Sequence, residues 1–148
     1  MQPRDKSVLA AKSFTLLVLA LIAAALPLAP RLIGWYVGAR RMAPGLYPAL
    51  LACFYTVAVP AVAAMVHMLL LLRCISAGET FSPGCVRHIG AISWCCLAAA
   101  CILGAGSAAY LPLALIAGAL VFMFLITRVV CSVMRAAVAL KDENNLTI

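Results

Sequence analysis

Few residues in this sequence have the capacity for chemistry, and their spacing limits what that chemistry could be. Cys74, Cys85 and His88 bracket a short polar stretch, and with Glu79 or water as a fourth donor they could hold zinc, Cys85 and His88 having a three-residue helical spacing. Against this, the chain contains no CxxC pair, and thiols facing the cytoplasm stay reduced. Cys53, Cys95, Cys96, Cys101 and Cys131 fall in apolar runs, where a free cysteine packs as a small hydrophobe. The expectation is no metal and no cofactor. Two further ionisable groups lie within long apolar stretches, His67 and Arg128. For His67 the simplest role is a neutral ring bonded to a carbonyl of a neighbouring helix, ahead of a pH-responsive one. For Arg128 it is a side chain reaching the inner head groups, ahead of a buried functional charge.

The acids are Asp5, Glu79, Asp142 and Glu143, none within an apolar run. That removes the usual carrier for proton or cation coupling, and a small proton-driven multidrug exporter would need a carboxylate in its first helix. A general acid or base needs a partner at the same depth, and no Ser and His pair or carboxylate pair can be assembled. The chain is therefore expected not to be an enzyme.

The elements that position these residues follow from composition. Hydrophobic residues make up 67% of the 148 and charged ones 10%, too little polar surface to solvate a globular domain. A hydrocarbon core of about 30 Å needs about 20 helical residues. The charges divide the chain into apolar runs that give an all-α, polytopic membrane protein, a single domain over 1–148 with four transmembrane helices in two antiparallel hairpins. The spans are about 13–33, 46–72, 88–108 and 112–134, followed by a short tail, 139–148. The third run breaks at Gly104, Gly106 and Ser107, and Pro112 suits the first turn of a new helix. Strands are excluded by the lack of two-residue alternation. Small residues dense over 98–109 and 114–119 suit close helix contact, within one copy or between copies in a homo-oligomer.

Basic residues set the orientation. With the N-terminus inside, Arg4, Lys6, Lys12, Arg73, Arg87, Arg128, Arg135 and Lys141 are cytoplasmic, against Arg31, Arg40 and Arg41 outside. Both termini are expected in the cytoplasm, with Trp35, Tyr36, Tyr47 and Tyr110 at the outer boundary. The rival for the first span, a cleaved leader ending near Ala23, Ala24 and Ala25 or at Ala29, leaves the apolar run continuing into Leu32, Ile33 and Trp35. The net charge of +7 is spread along membrane edges, which argues for lipid and topology and not for direct nucleic-acid binding.

Local grammar is clearest from Ser76 to Gly84. Gly78 is placed to end the second helix, Ser82 to cap the third and Pro83 to occupy its first position, with Phe81 packing on Val86 as a staple. Arg87 and His88 would then project before the helix enters the bilayer near Ile89, with Glu79 pairing to Arg73 or Arg87. After Arg128 the pattern suits a helix leaving along the membrane surface, ending in a polar, then apolar tail whose Leu146 and Ile148 could dock on a partner or on the Phe81 loop.

The run GETFSPGCVRHIGAIS from Gly78 to Ser93 and the tail ALKDENNLTI from Ala139 to Ile148 resemble the bacterial membrane-protein family called domain of unknown function 2975. Gly78, Phe81, Ser82, Ile89 and Gly90 carry the match in the loop, with His88 between, and Leu146, Thr147 and Ile148 carry it in the tail. The resemblance covers most of the chain, the four spans included. It implies a multi-pass protein of the bacterial inner membrane with no assigned enzymatic activity, often encoded beside a small helix-turn-helix regulator of the Cro type. The partner surface this suggests comprises Gly78, Glu79, Phe81, Ser82, Arg87, His88, Leu146, Thr147 and Ile148. The alternative is a small pore, carrier or immunity-type protein acting through His67 or Arg128.

Overall fold

In a computed structural model of the chain the backbone is described for residues 3–43, 45–77 and 82–145, and side chains for 8–43, 45–77 and 82–140. Four helices follow in order: α1 (Pro3–Ala39), α2 (Leu46–Ser76), α3 (Pro83–Gly106) and α4 (Pro112–Asn145). Each is long and apolar enough to cross a membrane. Leu46 opens α2, Gly106 ends α3 and Pro112 opens α4, as the breaks in the apolar runs require. Large apolar side chains such as Trp35, Val59, Leu111 and Leu115 are more than two-thirds exposed, which suits lipid as solvent and not water. The protein is a four-span membrane protein.

Helices pack in chain order, α1 on α2, α2 on α3 and α3 on α4, and among the described residues no other pair of helices brings its Cα atoms within 8 Å. The central helix is α3, and it carries most of the burial: Cys85, Val86, Ile89, Gly90, Ser93, Ala99, Ala100 and Leu103. Ser93 is fully buried and satisfies its hydroxyl locally, donating to the Gly90 carbonyl at 2.7 Å. Of the small residues expected at contacts, Ala99, Ala100 and Ala117 are buried, whereas Ala98, Ala105 and Ala114 are exposed. At Gly106 a Cβ would lie 2.8 Å from Cys53 Sγ of α2 and 3.1 Å from Leu113 Cδ1 of α4, so the glycine leaves room for both side chains.

The first helix is longer than the sequence suggests. It continues through Pro27, Pro30 and Arg31 to Ala39, although each proline removes a backbone donor. Pro30 has no N–H to offer the carbonyl four residues earlier, that of Leu26. The hydroxyl of Tyr55, on α2, donates to that carbonyl at 3.0 Å. A neighbouring helix thus replaces the missing bond, one of the ways proline is accommodated in membrane helices. The α1 terminus closes in a Schellman arrangement: Met42 N–H donates to Val37 O and Arg41 N–H to Gly38 O, with Arg41 at φ 49°. At the same end, the hydroxyls of Tyr36 and Tyr110 are 2.6 Å apart, with their rings edge to face. The expected boundary aromatics therefore do gather at one end of the molecule.

Candidate functional site

The polar groups of the spans converge around the first three turns of α3. Ser82 caps that helix from an extended conformation, its Oγ accepting from Cys85 N–H at 3.4 Å, with Pro83 next. The cap fixes where the helix begins, and packing sets its rotation. Val86 and Ile89 face Cys131 of α4 in a small core closed by Leu71, Met134 and Val138, and Cys131 Sγ lies 3.7 Å from the Val86 carbonyl. With those two directed inward, neighbouring residues diverge to either side: His88 turns to α2 and Arg87 to a groove shared with α4.

On the α2 side His88 Nδ1 lies 3.2 Å from His67 Nδ1, and the rings are 5.4 Å apart at 41°. Two imidazole nitrogens at this distance share one hydrogen, so one ring donates and the other accepts. The carbonyl expected as the partner of His67 is thus replaced by a second histidine ring. His88, expected to project, is half-buried against α2. Their separation in sequence, 21 residues, hid the pair. The available signal was depth, since each sits within about three turns of the α2–α3 connection.

On the α4 side a groove of about 480 Å³ is lined by Arg87, Arg128 and Arg135, with Gly90, Ala91 and Trp94 between them. The Arg128 guanidinium carbon lies 5.9 Å from the centre of the Trp94 ring, a cation–π distance. Arg128 and Arg135 are two turns apart on α4, and Arg87 and Trp94 two turns apart on α3, so each pair occupies one helical face. Arg87 and Arg128, which the sequence assigned to separate roles, are brought together here, whereas Trp94 was not singled out at all.

Gly78, Glu79, Phe81, Leu146, Thr147 and Ile148 lie outside the described residues, as do the staple from Phe81 and the pairing of Glu79. Among the described residues no group of three His, Cys, Asp or Glu side chains is close enough to hold a metal. The segment 39–148, which takes in α2, α3, α4 and the connections between them, matches the family described as a protein of unknown function, DUF2975. The chain belongs to the DUF2975 family. The match begins at the last residue of α1 and so leaves out the first span, which the resemblance read from the sequence had included. Within this DUF2975 protein α1 packs on α2 and, through the Tyr36–Tyr110 bond, meets the connection between α3 and α4. No curated protein and no solved structure matches the chain.

Proposed function

We propose that this DUF2975 protein is a non-enzymatic regulatory membrane protein of the bacterial inner membrane, with both termini and the α2–α3 connection in the cytoplasm. Its loop, Gly78 to His88, and its tail, Lys141 to Ile148, form one surface that binds a small helix-turn-helix regulator and alters that regulator's access to DNA. The observation that supports this reading is the packing of Met134 and Val138 of α4 with Val86 of α3 and Leu71 of α2. It ties the start of α3 to the outgoing turns of α4. At 34 residues α4 is about 50 Å long, well beyond the hydrocarbon thickness, so it has the length to carry its last turns clear of lipid at the end where α3 starts.

The test is copurification of the full chain with a helix-turn-helix regulator of the Cro type, the kind often encoded beside members of the family. Deleting Asp142 to Ile148 together with Phe81→Ala and Ser82→Ala is expected to abolish recovery of the regulator. Undiminished recovery overturns the proposed surface. The second reading, a pore, carrier or immunity-type protein, has the His67–His88 pair in its favour. It requires solute flux in reconstituted vesicles that is lost on changing His67 or Arg128.

A further inference from the structure

We infer that the groove between α3 and α4 is a binding site for the phosphate head group of an anionic phospholipid. Three guanidiniums, those of Arg87, Arg128 and Arg135, line it. Among the described residues no carboxylate lines the groove beside them. Guanidinium is the side chain best shaped to take two phosphate oxygens at once. The groove floor is Gly90 and Ala91, small enough for a ligand to approach the α3 backbone. Its volume, about 480 Å³, lies in the range of small-molecule sites.

Depth selects a lipid over a soluble anion or an acidic protein segment. Arg128 is 16 residues from Pro112, about 24 Å along α4 from the far end of the span and so inside a hydrocarbon layer of about 30 Å. Arg135 is about 10 Å nearer the head groups. The groove therefore runs from the head-group layer into the upper acyl region, and Trp94 stands at its deep end against Arg128. A lipid phosphate enters such a site laterally with its chains already in hydrocarbon. A water-borne partner would have to leave water to reach Arg128. Basic grooves between transmembrane helices on the cytoplasmic side are of the kind that holds anionic head groups. The site is independent of any regulator, and its assay contains none.

The experiment is lipid titration of the full-length protein in neutral detergent, read by native mass spectrometry, with phosphatidylglycerol, phosphatidylcholine and inorganic phosphate as probes. The wild type is expected to retain phosphatidylglycerol over phosphatidylcholine. Arg128→Gln with Arg135→Gln is expected to weaken phosphatidylglycerol retention by about tenfold or more. Arg31→Gln with Arg40→Gln, the same charge loss near the opposite end, is expected to leave it unchanged. The proposal is overturned if both double variants lose retention equally, or if the wild type holds the two lipids alike. It is also overturned if millimolar inorganic phosphate displaces phosphatidylglycerol, which would mark a soluble-anion site. Should the glutamine pair fail to give a helical circular dichroism spectrum, Arg128→Lys with Arg135→Lys decides. Charge without the planar fork is expected to bind more weakly than wild type, and equal binding refutes the site.

Discussion

Replacing Tyr55 by Phe removes one hydroxyl and tests whether α1 depends on α2 for a backbone bond it cannot make itself. The Tyr55 hydroxyl donates to Leu26 O, the carbonyl left without a donor by Pro30. Leu26 lies nine residues before Trp35 and Tyr55 eight residues after Tyr47, which puts both about 12–14 Å below the aromatic boundary, near mid-bilayer. No water is available there to take the place of the hydroxyl. Phe keeps the ring and its edge-to-face contact with Phe54 at 5.9 Å, so packing is largely preserved. A carbonyl orphaned in hydrocarbon, away from water, costs about 1–3 kcal/mol, whereas hydrogen bonds between membrane helices average about 0.6 kcal/mol with a ceiling near 1.7. The proline raises the expected value toward that ceiling, since Leu26 O has no intrahelical partner to fall back on, and about 1.5 kcal/mol is expected. Reversible unfolding in mixed micelles measures it. In a Pro30→Ala background the restored N–H satisfies Leu26 O, and Tyr55→Phe is expected to cost less than about 0.5 kcal/mol. Equal costs in the two backgrounds would refute the compensation.

Gly106→Ala places a methyl 2.8 Å from Cys53 Sγ and 3.1 Å from Leu113 Cδ1, so a loss of about 1–3 kcal/mol is expected in the same unfolding assay, largely relieved by Cys53→Ala. His67→Ala and His88→Ala are each expected to cost about 1 kcal/mol, and the double variant less than their sum, the signature of one shared hydrogen bond. Ser82→Ala removes the cap of α3 and is expected to cost about 1 kcal/mol, with faster amide exchange in the first turn of that helix. Arg41→Gly relieves a left-handed backbone position and is expected to stabilise by about 1 kcal/mol, read as a higher melting temperature in detergent.

The helices were legible because their ends are written locally. Pro83 behind Ser82, Gly106, and Pro112 are short-range signals whose geometry does not depend on distant residues. The extension of α1 to Ala39 was not legible, since the expected span, 13–33, passed both prolines but was bounded near the charge at Arg31, and the donor that satisfies the Leu26 carbonyl is 29 residues away. The candidate site divided in the same way. The sequence singled out Arg87, His88, His67 and Arg128 one by one from type and depth. Their partners depend on the rotation of α3, which the packing of Val86 and Ile89 against Cys131 determines. Trp94 was overlooked because an aromatic in an apolar run carries no polarity signal until an arginine from another helix lies over its face.

Among the described residues the helix backbones approach one another only in chain order, so α1 and α4 each meet a single neighbouring backbone. The histidine pair and the arginine groove both lie on α2, α3 and α4, inside the segment 39–148 that matches the family, whereas all of α1 but its last residue precedes it.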